Sequence, residues 1–309
     1  MLRFLIRRLF TSFIVIFGVV TLVFGALRLA PGDPVESILG EDSTEVDKEK
    51  MRECLRLDKS LPEQYVLFWG DVADGTFGEL CNERGVTVAD KLEANLPSTI
   101  ELALASMIVA ILIAFPLGIA ASLKPYSWID NASAVIALLG ISIPNFWLGP
   151  MLLILFSLTL KALPNPGSSV TGMTALILPA ITLGSALSAK LTRMLRSSML
   201  EVLNQDFVRT ARAKGLKERT VVLKHALRNA LIPVTTILGM QLGALLTGAL
   251  IVEKVFARAG LGMLLLDGIE QRNYLIVQGC VLLIAFIYVL VNVITDVIYG
   301  LIDPRIRYD

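Results

Sequence analysis

Charge is scarce in this 309-residue chain: Lys, Arg, Asp and Glu make up 18% of it, against about 25% in soluble domains. Histidine is scarcer. The one present, His225, excludes a bis-histidine haem and argues against a His-rich metal site. No GxxxxGK[ST] segment occurs, so the chain cannot hold nucleotide through a P-loop of its own. Gly140-Ile141-Ser142 offers a serine beside a glycine, but no histidine stands in an apolar run to activate it. A glycine and serine easing helix packing is the better account. Cysteine is limited to Cys54, Cys81 and Cys280.

Apolar residues fill the space that charge leaves: 55% of the chain is hydrophobic, and mean hydropathy is +0.70. About 20 apolar residues are needed for a helix to cross a ~30 Å hydrocarbon core. Six runs answer to that length or near it: Leu9–Leu27, Ile100–Leu123, Ala132–Leu160, Ala175–Ala189, Ala230–Val252 and Leu275–Ile302. The fourth is short and contains Pro179; the last is interrupted by Asp296. The first follows Arg3, Arg7 and Arg8 as a signal peptide would. It is longer than the usual 7–15-residue signal core, however, and is read as a span. The expected fold is all-α and membrane-integral, with six transmembrane helices.

The polar segments divide by sign. Residues 31–97 hold sixteen acids and seven bases. The stretch before the fifth run carries Lys190, Arg193, Arg196, Arg209, Arg212, Lys214, Lys217, Arg219, Lys224 and Arg228 against Glu201, Asp206 and Glu218. Basic loops stay on the cytoplasmic side. Six spans with both ends inside put the basic loop in the cytoplasm and the acidic region outside, so the two assignments agree. The organisation expected is an amino-terminal segment with the first helix over 1–30 and a small extracytoplasmic subdomain over 31–98. A core of five helices over 99–303 follows, with a cytoplasmic loop at 190–229 and a cytoplasmic tail at 304–309. The net charge of +1 hides this polarisation, and nucleic acid is not an expected partner. Cys54 and Cys81 both fall in the outer region, where an oxidising compartment permits a disulfide contributing roughly 3 kcal/mol; two free thiols are the other reading. Cys280 reads as a buried apolar residue.

The basic loop contains two helical patterns. Asp206–Lys214 has good helix propensity, and Gly215 can stop it in the left-handed conformation. Lys217–Ala230 follows, with Leu223, Leu227 and Leu231 four apart, and Pro233 stands where the next span is expected to begin. A short helix with one leucine stripe is not stable alone in water. It has to bury that stripe against anionic lipid, its own bundle or another protein.

Resemblance enters here. Thr210-Ala211-Arg212-Ala213-Lys214-Gly215-Leu216, then His225-Ala226-Leu227-Arg228-Asn229 and Pro233, is similar to the cytoplasmic coupling loop of ABC importer permeases of the dipeptide, oligopeptide and nickel group. The wider superfamily carries EAA-x3-G; Arg209 and Thr210 stand here where Glu and Ala would, a departure the peptide group shares. Further motifs in order extend the resemblance over nearly the whole chain. They are Arg7-Arg8-Leu9, Ala30-Pro31-Gly32-Asp33-Pro34, Gly75-x-Phe77-Gly78, Leu96-Pro97-x-Thr99-x-Glu101-Leu102, Ile143-Pro144-x-Phe146-Trp147-Leu148-Gly149 and Asp303-Pro304-Arg305.

The resemblance implies a permease subunit of an ATP-driven importer, binding no cofactor itself. ATP and magnesium would be used by two separate ATP-binding subunits. A second homologous permease would complete the pathway in the lipid bilayer, and an extracytoplasmic binding protein would deliver cargo. Arg219, His225, Arg228 and Asn229 would join Thr210–Leu216 at the ATPase. Peptides are the expected cargo, with nickel chelates, glutathione or another small solute as alternatives. Polarity within the runs points to Asn145, Gln241 and Asp296 as pathway residues; Asn145 and Gln241 serve equally well as hydrogen bonds between helices. An ion-coupled carrier acting alone would call for several buried acids or repeated halves, and neither is evident. A membrane-embedded hydrolase would call for an activating base.

Overall fold

The computed structural model describes residues 2–40, 43–167 and 172–302; the Asp303-Pro304-Arg305 motif and the 304–309 tail lie outside the described residues. Among the described residues the regular structure is helical, with one isolated antiparallel bridge between Glu79 and Thr87. In chain order the helices are α1 (Leu2–Leu29), α2 (Pro34–Leu39), α3 (Glu45–Cys54), α4 (Leu61–Ala73), α5 (Val88–Leu123), α6 (Trp128–Ser142) and α7 (Asn145–Leu152). After α7 a π-helical turn covers Leu153–Thr159, and then come α8 (Met173–Leu203), α9 (Asp206–Ala213) and α10 (Glu218–Thr220). A second π-helical turn, Val221–Ala226, leads into α11 (Leu227–Val255), followed by α12 (Leu261–Glu270) and α13 (Tyr274–Ile302). Among the described residues five helices are long and apolar enough to cross a membrane, or six if a bent pair is one span.

That bent pair corrects the third apolar run. Ala132–Leu160 was expected to be one span, but α6 and the Asn145–Thr159 segment meet at 103°. Proline disfavours helical geometry in the residue before it, and Ile143 is extended there (φ −84°, ψ 117°), with Pro144 capping α7. The fourth run needs the opposite correction. It was expected to end near Ala189, yet α8 continues through Lys190, Arg193 and Arg196 to Leu203. Charge marks where hydrocarbon ends, and a helix does not stop there. Likewise Pro233 lies inside α11 and not at its start. The segment between the fifth and sixth apolar runs contains α12.

The described residues divide into two units, one of residues up to 99 with 259–289, the other of residues 100–258 and those from 290 on. In the first, Phe10, Phe13, Ile14 and Leu22 of α1 are exposed, a surface that suits an apolar solvent. The opposite side of α1 buries Val20 beside Phe68 of α4. The short helices are capped in the way their sequences dictate. Asp33 accepts from the Val35 N–H (2.9 Å) and pairs with Arg52 (3.0 Å). Ser60 and Glu63 form a capping box on α4, and Thr87 with Asp90 caps α5. A disulfide joins Cys54 to Cys81, and Arg56 grips Asp71 with two hydrogen bonds of 2.8 and 3.0 Å.

In the second unit α8 is the central rod. Leu183, Leu187, Leu191, Leu195 and Met199, four residues apart, form one buried row. Small residues bring its neighbours to backbone distance. A Cβ on Gly184 would sit 2.6 Å from the Ser106 carbonyl oxygen of α5, and one on Gly140 of α6 would sit 2.9 Å from that of Ser185. Gly140 is therefore a packing glycine. Buried Asp130, at the start of α6, accepts from Arg196 of α8 at 2.5 and 2.6 Å and from the Tyr126 N–H at 2.9 Å. That pair ties the first turn of α6 to the last turns of α8.

Candidate functional site

Beyond α8 the chain turns back on itself through α9, Gly215 and α10. Helix α9 ends in a Schellman motif: the Gly215 N–H donates to the Arg212 carbonyl (2.9 Å) and the Leu216 N–H to that of Ala211 (3.4 Å). The motif needs a residue with positive φ, and Gly215 supplies it at +77°. Across this turn Arg212 donates twice to Glu218, at 3.1 and 2.7 Å. That contact holds the Glu218 carboxyl below its ordinary range, and the same contact raises Arg212. Arg212 thus braces the knuckle from within the chain.

The knuckle is fixed to α8 by its inner face. Val208 and Ala211 of α9 and Val221, Val222 and Ala226 of the π-helical turn are buried in the same core as Leu195, Met199 and Val202. The stripe expected at Leu223, Leu227 and Leu231 is displaced by one residue: Val222, Ala226, Ala230 and Val234 are the buried row, while Leu223 is 44% exposed. Leu227 and Leu231 pack at the margin of that core. The wider π-helical turn, in which the Leu227 N–H donates to the Val222 carbonyl five residues back, lies next to this register.

The outer face carries the other predicted residues. Thr210, Arg212, Ala213, Lys214, Gly215, Leu216, Arg219, Arg228 and Asn229 are exposed, His225 is half-buried, and Ala211 is buried. The Thr210 hydroxyl donates to the Asp206 carbonyl (2.9 Å), and the Asn229 amide donates to that of His225 (2.9 Å), so both stabilise their own helices. Phe207, Leu216 and Leu223 are exposed apolar side chains among these bases. Phe207 was missed by sequence reading, although it adjoins the motif; only burial distinguishes it from Val208. A Cβ on Gly215 would meet nothing within 4 Å, so the space beyond the turn is open.

Of the three residues expected to line a pathway, Gln241 lines a cavity that the other two do not. Gln241 of α11 lines an open cavity of about 460 Å³ between α8 and α11, with Lys190, Arg193 and Ser197 among its other walls. Asn145, half-buried in the first turn of α7, and Asp296, half-buried in α13, are not among its lining residues.

Helices of this length and apolarity define a multi-pass membrane protein. The chain belongs to the binding-protein-dependent transport system inner membrane component family, whose profile matches residues 114–308. The companion amino-terminal profile matches residues 1–103. It is 42% identical over 337 residues to the di/tripeptide transport system permease protein DppB of Pseudomonas aeruginosa (strain UCBPP-PA14), covering 100% of this chain and 99% of that one. Identity is 41% over 308 residues to the glutathione transport system permease protein GsiC of Escherichia coli (strain K12), and 38% over 316 residues to the oligopeptide transport system permease protein AppB of Bacillus subtilis (strain 168). Both matches span all of each chain. The fold is similar to the inward-facing MetNI methionine ABC transporter, at TM-score 0.54 and 19% identity over 69% of this chain and 96% of that one. It is also similar to an amino acid ABC transporter, at TM-score 0.52 and 16% identity over 77% and 98%.

Proposed function

We propose that this permease forms half of a translocation pathway for short peptides and couples it to ATP hydrolysis through the α9–Gly215–α10 knuckle. A second homologous permease completes the pathway, two ATP-binding subunits dock beneath, and a binding protein delivers cargo from outside. ATP and Mg²⁺ belong to the ATP-binding subunits. Both termini and the basic knuckle face the cytoplasm, and residues 31–98 form the outer subdomain. Thr210, Arg212–Leu216, Arg219, His225, Arg228 and Asn229 form the docking surface, with Phe207 and Leu223 as apolar anchors, while Ala211, expected among them, is buried on the inner face.

The observation that carries this reading is the two-faced knuckle. Its outer face presents exposed bases around Phe207, Leu216 and Leu223, while its inner face shares a core with α8. A partner that moves the knuckle therefore moves α8, and with it the helices packed backbone to backbone on α8. The bases steer the encounter and the apolar groups supply contact area. Cargo is assigned to peptides because oligopeptide, di/tripeptide and glutathione permeases are its relatives at about 40% identity. The test is a cysteine at Ala213, exposed on the knuckle, cross-linked in membranes that also hold the ATP-binding subunits. A cross-link to an ATP-binding subunit that changes in yield between nucleotide-free and ATP-bound states is expected. Cross-linking to lipid alone would refute the assignment.

A further inference from the structure

The cations of α8 have different fates. Arg196 is held by Asp130. Lys190 and Arg193 have no carboxylate partner among the described residues, and both line the cavity between α8 and α11. The cavity wall follows helical periodicity. Lys190, Arg193, Met194 and Ser197 lie at i, i+3, i+4 and i+7 on α8, and Ile237, Met240 and Gln241 lie at i, i+3 and i+4 on α11. No acid is among these residues. Two like charges three residues apart repel one another, and nothing in the wall offsets that repulsion. The side chains of Ser197 and Gln241 make no hydrogen bond to another described residue.

We propose that this cavity is an anion-accepting subsite for cargo, in which Lys190 and Arg193 hold a side-chain carboxylate while Met194, Ile237 and Met240 take the apolar body attached to it. Ser197 and Gln241 supply the remaining polar contacts. The volume, about 460 Å³, falls in the range of small-molecule sites, roughly 300–1,000 Å³, and suits an acidic short peptide. The inference rests on the transport reading above and deepens it: cargo carrying an extra negative charge is favoured. Lys190 begins about 25 Å along α8 from Met173 at the helical rise per residue. That distance puts the subsite in the half of α8 nearest the knuckle, with about 20 Å of helix between Lys190 and Leu203.

Two measurements separate this inference from the transport reading. In the first, Ser197→Cys is introduced as a reporter; background is low because Cys280 is fully buried and Cys54 is joined to Cys81. Its reaction rate is compared for a sulfonate-bearing and a trimethylammonium-bearing methanethiosulfonate. Replacing Lys190 and Arg193 together by Gln is expected to lower the sulfonate-to-ammonium ratio roughly tenfold at low salt, and Lys190→Arg is expected to preserve it. An unchanged ratio overturns the subsite. In the second, the complex reconstituted with its partner subunits is assayed for uptake of alanyl-glutamate and of its isostere with a neutral side chain, alanyl-glutamine. The double Gln variant is expected to lose the glutamate peptide selectively, by about tenfold. Equal loss of both peptides overturns the cargo role. So does loss of a co-purifying anionic phospholipid with peptide discrimination unchanged, because the occupant is then a headgroup. Absence of uptake of either peptide by the unsubstituted complex, with the labelling ratio responding as expected, supports the anion subsite and refutes the peptide reading instead.

Discussion

The turn at Gly215 allows a test in which chain strain and partner contact can be told apart. Its φ of +77° is one that an L-residue with a side chain adopts at a cost of about 1–2 kcal/mol. A Cβ built there meets nothing within 4 Å, so no packing clash within the chain adds to that cost. Gly215→Ala should therefore lose about five- to thirtyfold in any equilibrium that depends on the native turn. Asparagine tolerates the left-handed region far better, so Gly215→Asn should have a nearly unstrained knuckle while filling the open space. Gly215→Asp fills it and adds a negative charge among Arg209, Lys214, Lys217 and Arg219. The assay is membrane abundance measured beside ATP-dependent uptake in the assembled complex. All three variants are expected at near-normal abundance. Uptake should fall modestly for Ala, more for Asn despite its relaxed backbone, and below detection for Asp. If Asn transports like the parent while Ala does not, strain is the whole effect and no partner occupies that space. Full uptake by the Asp variant would remove the coupling assignment altogether.

Arg196→Ala should destabilise the permease by roughly 2 kcal/mol, less than the ~3–5 kcal/mol of a fully buried pair because Arg196 is 30% exposed. Asp130→Asn combined with Arg196→Gln should recover part of it, read as the thermal unfolding of detergent-solubilised protein. Gly184→Ala pushes a methyl to 2.6 Å from the backbone carbonyl of Ser106, which no rotamer can relieve. A cost of about 2 kcal/mol and a lowered melting temperature are expected, and an unchanged melting temperature would contradict the close α5–α8 approach. Opening the Cys54–Cys81 bridge, which closes a sequence separation of 27 residues, should cost up to about 3.5 kcal/mol in the chain-entropy account. Its sign would be faster proteolysis within residues 31–98 after reduction, with knuckle cross-linking unaffected. The Arg212–Glu218 brace has a defined pH sense. Glu218 is depressed, so its contribution is fully present above the ordinary glutamate value of about 4.3. It is lost only as pH falls through the depressed value. A spin label at Ala213→Cys should report constant mobility from neutral pH to about pH 5 and greater mobility in stronger acid.

Hydropathy made the apolar helices legible because lipid demands length and composition, and little else competes with that signal. The errors lie where a local rule was applied to the wrong boundary. Lys190 and Arg193 mark the end of an apolar run, yet from Lys190 to Leu203 α8 has good helix formers and no glycine or proline to stop it. Pro144 gave a usable signal that was missed, since its effect on Ile143 is local and predictable. The stripe on α11 had the right period and the wrong phase. Valine and alanine at 222, 226, 230 and 234 allow closer packing than leucine, and hydrophobicity alone ranked leucine first. The Asp130–Arg196 pair, 66 residues apart in sequence, had no local signature.

These misses matter for function because they all concern one rod. Read as a span followed by a loop, the chain has a transport part and a docking part joined by a flexible link, and a pull on the link would be lost in it. Continuous α8, with α9 sharing its core and α6 clamped to it by Asp130, leaves only the two-residue turn Asn204–Gln205 between α8 and α9. The same rod carries Lys190 and Arg193 on the cavity wall about three turns from its end, at 3.6 residues per turn. If the knuckle docks an ATPase and the cavity takes cargo as proposed, both act on the one continuous helix α8. Inserting two glycines after Leu203, where α8 ends, should break that continuity, leaving ATPase docking by cross-link intact while uptake is lost.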